Sequence, residues 1–111
     1  MSVEYWREVP QFEGHYEASS LGRIRSIKRG GNPLVLKPLN HTGGYHSYAL
    51  WLNGKQTRQF AHALILAAFC GPRPPKYYGA HLNGIKTDNR VANLVWASPS
   101  ENQAHREGHA T

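Results

Sequence analysis

The segment Gly71-Pro72-Arg73-Pro74-Pro75 restricts the possible folds of this chain more than any other stretch. Proline fixes φ and has no backbone N–H, so this segment is unsuited to a helix or a central strand and forms a stiff, extended connection. A chain of 111 residues is too short for two ordinary domains. We therefore expect one folding unit with a single internal boundary, between residues 1–70 and residues 71–111.

Short alternations of apolar and basic residues before this segment predict strands over residues 22–27 and over parts of residues 34–37. Residues 45–52 form a longer strand candidate, and Asn53-Gly54 predicts a tight turn into a return strand over residues 56–60. Residues 61–69 are apolar nearly all round, which predicts a buried helix ending at the following Gly-Pro. The first 70 residues thus predict a small β-meander followed by a helix.

The C-terminal part has the order strand, loop, strand, helix. Residues 77–82 and 93–96 are the two strand candidates, separated by a loop that contains Asn83-Gly84. Ser98-Pro99-Ser100-Glu101 has the pattern of a capping box with proline at the first helical position, so a helix is predicted from about Pro99 to Glu107. The fold class is therefore α+β.

The charge of the chain is unevenly distributed. Four of the seven acidic residues lie within residues 1–17, whereas no carboxylate occurs between Ala18 and Thr87. A long stretch of cations without acids produces a positive potential suited to a polyphosphate, which favours nucleic acid as the partner. The basic side chains expected on the exposed face of the meander are Arg23, Arg25, Lys28, Arg29, Lys37, Lys55 and Arg58.

Other features exclude several classes of protein. No apolar run is long enough to cross a bilayer, and the polar N-terminus lacks the pattern of a signal peptide, so we expect no membrane partner and a cytoplasmic location. The single cysteine, Cys70, excludes an internal disulfide and a thiolate zinc site. Tyr45, Tyr48 and Trp51, at strand spacing, leave RNA recognition open as a further alternative.

The candidate chemistry lies in the C-terminal hairpin. His81, at the end of the first strand, and Asn93, at the start of the second, can face each other across the loop, with Asn102 approaching from the helix. An imidazole activates water at neutral pH, an amide can orient it by a hydrogen bond, and a hard divalent cation neutralises charge on a phosphate. For His62, near the start of the buried helix, a structural role is favoured over a catalytic one.

These residues carry a family resemblance that covers nearly the whole chain. The C-terminal part resembles the HNH (ββα-metal) motif of homing-type and phage-type endonucleases. The N-terminal part is similar to the DNA-binding module often fused to that motif. The matching C-terminal residues are His81-Leu82-Asn83-Gly84, Lys86-Thr87-Asp88-Asn89-Arg90, Asn93-Leu94, Trp96 and Glu101-Asn102; the N-terminal ones are Trp6, Phe12-Glu13-Gly14, Tyr16 and Ser20-Leu21-Gly22-Arg23-Ile24-Arg25-Ser26.

The resemblance implies a metal-dependent DNA endonuclease acting on double-stranded DNA in the host cell of a phage or mobile element. It makes His81 the general base, Asn93 the residue that orients it, and Asn102 a metal ligand. His105, one turn further along the helix, is a second ligand, a phosphate contact or an exposed helix residue. Oxygen and imidazole donors favour Mg²⁺ or Mn²⁺ over zinc. The predicted DNA contacts are Arg23, Arg25, Lys28, Arg29, Lys37, Arg58, Lys86 and Arg90.

One position departs from the family pattern. Ala80 precedes His81 where relatives commonly place an aspartate or another ligand, and a methyl group cannot bind a cation. Either the metal is held by Asn102 with waters, substrate phosphate and a substitute such as Asp88 or His105, or the chain is a catalytically weak or inactive DNA-binding protein. For Asp88 itself, a turn or cap role is favoured over metal binding, and Arg90 reaches a phosphate or braces the loop.

Overall fold

The computed structural model describes residues 3–27 and 31–100, and shows nine strands and one α-helix within them. A short 3-10 turn, Val91–Asn93, precedes the last strand. The elements are β1 (Trp6–Glu8), β2 (Tyr16–Ser19), β3 (Ile24–Ser26), β4 (Leu34–Val35), β5 (Leu39–His41), β6 (Tyr45–Leu52), β7 (Lys55–Phe60), α1 (Ala61–Cys70), β8 (Tyr78–His81) and β9 (Leu94–Ala97). The mixed α+β class is as predicted.

The N-terminal strands form two antiparallel sheets instead of the single predicted meander. β1 to β4 pair in sequence order in one sheet, and β5 to β7 pair in sequence order in the next. Pro38 lies in the break between β4 and β5, where a residue without a backbone N–H cannot continue the ladder. The second sheet contains the predicted hairpin: Asn53 and Gly54 have φ values of 52° and 78°, the left-handed pair that a two-residue turn requires.

Helix α1 lies at the centre of the molecule and contacts strands of all three sheets. Leu64, Ile65 and Leu66 are fully buried and belong to the same apolar cluster as Ile24 of β3 and Leu94 of β9. Because a single core includes residues on both sides of the proline-rich connection, the described residues form one folding unit. The assignment of residues 1–70 and 71–111 to separate functional modules stays a prediction.

The C-terminal hairpin pairs β8 with β9, with His81 opposite Leu94 at the end of the ladder nearest the loop. After β9, Pro99 and Ser100 are helical, as the capping box predicts. The remainder of the predicted helix, which includes Asn102 and His105, lies outside the described residues. Within residues 3–27 and 31–100, no helix has the length and apolar character needed to cross a membrane.

Candidate active site

The His81 imidazole is buried at the end of β8 and is held by an amide from the following loop. Its Nε2 lies 2.9 Å from Oδ1 of Asn89, and both side chains are more than nine-tenths buried. An amide oxygen only accepts hydrogen bonds, so Nε2 carries the ring proton and its N–H donates a hydrogen bond to Asn89 Oδ1. In the neutral ring, the lone pair is therefore on Nδ1.

The surroundings of His81 keep this ring neutral. Burial lowers its pKa, and the nearby Lys86 ammonium acts in the same direction, while the hydrogen bond to Asn89 and the Asp88 carboxylate oppose them. The net effect is a pKa below the ordinary histidine value. At physiological pH, the imidazole is consequently in the form that accepts a proton from water.

A second histidine, His62 of α1, packs edge-on against His81, with ring centroids 5.0 Å apart. It also stacks on Phe60, and Tyr45 contacts both histidines. Burial, with a smaller contribution from His81, lowers the pKa of His62 to about 4, so this ring stays neutral. These are the contacts of a half-buried structural histidine that packs against one side of His81.

Asn93 braces the loop instead of bonding to the imidazole. Its Oδ1 accepts the backbone N–H of Asn83 at 3.0 Å, while its Nδ2 donates to Asn83 Oδ1 at 2.8 Å and to the Asp88 carbonyl at 2.9 Å. The direct hydrogen bond to His81 that the sequence assigned to Asn93 is instead made by Asn89, because the Asn93 amide is bonded to Asn83 and to the Asp88 carbonyl. Asn89 is thus a site residue that the sequence reasoning missed, although it lies in the same loop.

Asp88 belongs to the same hydrogen-bond network within the loop as Asn83 and Asn93. Its carboxylate accepts hydrogen bonds from Asn83 Nδ2 at 2.9 Å and from Arg90 Nε and Nη2 at 2.8 and 2.7 Å. These bonds, the ones from Arg90 above all, hold the pKa of Asp88 far below its usual range. The Asp88 and Arg90 side chains therefore stabilise the loop. To bind a cation, Asp88 would have to release Arg90.

Two of the predicted phosphate contacts are paired with acids from the N-terminal segment. Arg23 donates to Glu4, with Nε 2.8 Å from Oε2, and Arg25 donates to Glu17 at 2.7 Å. The Arg25 guanidinium also lies 4.0 Å from the centroid of the Trp6 ring. Acidic residues of the segment 1–17 therefore neutralise part of the positive charge of the acid-free stretch. They lie beside it because β1, β2 and β3 pair in an antiparallel sheet.

The remaining predicted DNA contacts have different environments. Lys86 Nζ donates to the Gly43 carbonyl at 2.7 Å and lies 5.0 Å from the centre of the Tyr45 ring. Lys37 and Arg58 are exposed and have no ion pair within the described residues. Lys28 and Arg29 lie outside the described residues. The cations free to meet a phosphate in the described part thus include Lys37 and Arg58.

The aromatic residues of β6 do not form an exposed strip. Tyr48 is buried in the core, Tyr45 packs against the two histidines, and Trp51 is exposed. Side chains alternate between the faces of a strand, so Tyr48 and Trp51 point in opposite directions. This arrangement gives no support to the alternative of RNA recognition by stacking.

The described residues do not complete a metal site on their own. Ala80 is buried and offers a methyl group, and within residues 3–27 and 31–100 no three histidine, cysteine, aspartate or glutamate side chains cluster to hold an ion. Asn102 and His105, the donors assigned from the sequence, lie outside these ranges. The described part therefore contains the candidate base and the residues that hold it, but not a complete set of metal ligands.

Comparisons with known proteins match both halves of the chain. Residues 4–51 match the NUMOD4 motif, and residues 59–104 match an HNH endonuclease family. DNA endonuclease I-HmuI of Bacillus phage SP01 is 33% identical over 107 residues, 91% of this chain and 58% of that protein. An uncharacterised HNH endonuclease of Acanthamoeba polyphaga mimivirus is 34% identical over 107 residues, 92% of this chain and 26% of that protein.

The fold agrees with these matches. A structure described as DNA binding and cleavage by the HNH homing endonuclease I-HmuI superposes with a TM-score of 0.84 at 30% identity, over 96% of this chain and 60% of that one. The chain thus spans less than two thirds of the relatives it matches. By sequence and by fold, the chain is homologous to the phage HNH homing endonuclease I-HmuI, with a NUMOD4 motif over residues 4–51 and an HNH endonuclease match over residues 59–104.

Proposed function

We propose that this protein is a metal-dependent DNA endonuclease in which His81 is the general base. The observation that carries the proposal is the buried, neutral His81 ring, whose Nε2 is bonded to Asn89 and whose Nδ1 keeps its lone pair. The relative I-HmuI, a DNA endonuclease, supports DNA as the substrate. Lys37 and Arg58 would contribute to phosphate binding.

In the proposed reaction, His81 Nδ1 takes a proton from a water molecule as the water oxygen attacks phosphorus. The bond from phosphorus to the leaving oxygen of the sugar breaks, and that oxygen takes a proton from solvent water. The products are a phosphate monoester end and a hydroxyl end, and His81 then releases its proton to solvent. The protein contributes the position and the protonation state of the base, worth about 10²- to 10⁴-fold in rate. The rings of His62 and Tyr45 pack against the His81 ring and help to hold it in place.

We further propose that the metal is Mg²⁺ or Mn²⁺, and that Asn102, with His105 as the second donor, supplies the protein ligands. A divalent ion at a phosphate neutralises developing charge, and Mg²⁺ sites commonly combine few protein ligands with water and substrate phosphates. A site of this kind tolerates the missing donor at Ala80. The predicted DNA partner is double-stranded.

The test is conversion of supercoiled plasmid with Mg²⁺, with Mn²⁺ and with chelator, in wild type, His81→Ala and His15→Ala. His15 is an exposed histidine in the β1–β2 connection and serves as the matched control. We expect metal-dependent cutting that is unchanged in His15→Ala and falls by about 10²-fold or more in His81→Ala. Equal activity of the two variants, or no cutting by wild type with either metal, would contradict the proposal.

The buried methyl group of Ala80 supports a second candidate, a DNA-binding protein of the same fold that does not cut. This candidate predicts salt-sensitive DNA binding that chelation leaves unchanged. Ala80→Asp separates the two candidates further. If this variant cuts and wild type does not, the chain has kept its base and lost its metal site.

A further inference from the structure

A tight turn of the N-terminal part, Ser19–Arg23, reaches the loop that holds the general base. The side chain of Ser19 is fully buried, and its Oγ accepts the backbone N–H groups of Leu21 at 3.2 Å and Arg23 at 2.9 Å. The backbone N–H groups of Ser19 and Gly22 close the turn onto the carbonyls of Arg23 and Ser19. This turn joins β2 to β3 and is therefore rigidly held by its own hydrogen bonds and by the first sheet.

The Ser19–Arg23 turn contacts the backbone on both sides of Arg90. The Ser20 carbonyl accepts the N–H of Val91 at 2.9 Å. Gly22, at φ +92°, lies so close to Asn89 that an added Cβ would be 2.7 Å from the Asn89 carbonyl carbon and 3.1 Å from its Cβ. Real Cβ atoms do not approach backbone this closely, so any side chain at Gly22 displaces Asn89.

We propose that the Ser19–Arg23 turn and Asn89 form one positioning unit, in which the N-terminal part sets the orientation and tautomer of the His81 imidazole. Asn89 is a positioning residue: its Oδ1 holds the proton on Nε2, and the turn behind it fixes where that oxygen lies. The N-terminal part thereby helps to build the active site in addition to any contact with DNA. This inference rests on the proposed role of His81 as the base.

The tautomer is measured directly by ¹⁵N NMR of the histidine side chains in the metal-free protein at neutral pH. We expect the proton of His81 on Nε2 in wild type, and a mixture of both tautomers in Asn89→Ala and Gly22→Ala. Gly14→Ala is the matched control, because Gly14 has a similar φ of +80° but nothing within 4 Å of an added Cβ. A proton on Nδ1 in wild type, or the same His81 signals in Gly22→Ala as in Gly14→Ala, would overturn the proposal.

The rate of the chemical step is the second readout. In single-turnover cleavage, a misplacement of about 1 Å costs up to about 10²-fold, and we expect a loss approaching that size in Gly22→Ala with DNA affinity unchanged. Gly14→Ala should cut at the wild-type rate. A loss of affinity with an unchanged cleavage rate in Gly22→Ala would show that the turn serves DNA binding alone.

Asn89→Asp tests the positioning unit with a side chain of nearly the same size and shape as asparagine. The charged and titratable groups around His81 are His62 of α1, Tyr45 of β6, and Lys86 and Asp88 of the loop. A carboxylate at residue 89 adds an opposite charge to the protonated ring and raises its pKa, so the acidic limb of the pH–rate profile should move up by roughly one pH unit or more. An unmoved limb would overturn the proposal.

These readouts separate this inference from the proposed function. If wild type cuts no DNA with any metal, the endonuclease proposal fails, while the NMR comparison of Gly22→Ala with Gly14→Ala still decides whether the turn sets the His81 tautomer. If wild type cuts but Gly22→Ala leaves both tautomer and rate unchanged, the inference fails and the endonuclease proposal stands.

Discussion

Replacement of Asn93 by alanine tests how strongly the loop between His81 and Asn93 is stabilised by its side-chain hydrogen bonds. The side chain is buried and makes three hydrogen bonds, two with Asn83 and one with the Asp88 carbonyl. At about 0.5–1.5 kcal/mol net for each bond, their loss amounts to roughly 1.5–4.5 kcal/mol. Asn83 is exposed, so water compensates part of the loss, and we expect a decrease of about 2 kcal/mol in the free energy of unfolding.

The assay is urea denaturation followed by tryptophan fluorescence, with Asn40→Ala as the matched control. Asn40 is an exposed asparagine on β5, where substitution should change stability by less than about 0.5 kcal/mol. Cleavage by Asn93→Ala should fall as well, since the loop between Asn83 and Asp88 carries the neighbours of His81. If Asn93→Ala is no less stable than Asn40→Ala, the brace does not stabilise the loop as we infer.

Three further predictions concern other contacts. Lys37→Ala and Arg58→Ala should each weaken binding to all DNA sequences and reduce the salt slope by about one, measured by fluorescence anisotropy; an unchanged slope would exclude phosphate contact. Because the pKa of His62 is about 4 when folded and about 6.5 when unfolded, the unfolded chain binds the extra proton between these values. Stability is therefore complete above pH 6.5 and falls, by up to about 3 kcal/mol, as the pH is lowered to 4. Denaturation midpoints should show this fall in wild type and lose most of it in His62→Phe. Gly79→Ala should destabilise by about 1–3 kcal/mol, because the added Cβ would lie 2.5 Å from His62 Cδ2; an unchanged melting temperature would contradict it.

Several features of the fold follow from local sequence. The Asn53-Gly54 turn joins strands at the predicted positions because both residues adopt positive φ at low cost. The run of apolar residues after Phe60 forms α1, and Gly71, at φ 85°, ends it. These elements depend on neighbours within a few residues, which a single sequence displays.

The charge pattern shows where local reasoning fails. The absence of acids between Ala18 and Thr87 predicted cations free for phosphate, but Arg23 pairs with Glu4 and Arg25 with Glu17. These partners are 19 and 8 residues apart in the chain: Arg25 faces Glu17 across β2 and β3, and Glu4 reaches Arg23 from the segment before β1. Register depends on tertiary pairing, so the composition of one stretch does not show which of its charges stay free.

The sequence by itself singled out His81 as the candidate base: this residue follows a strand, and the motif around it marks the C-terminal hairpin. It did not determine which amide would hold the imidazole, since Asn83, Asn89 and Asn93 all lie between strands β8 and β9. Tertiary structure decided this. The Ser19–Arg23 turn, about 70 residues away in the chain, packs closely against Asn89, and the Asn93 amide is bonded to Asn83 and to the Asp88 carbonyl. The orientation of a buried side chain is set by the packing of elements that are distant in sequence, because only the folded chain brings their atoms into contact.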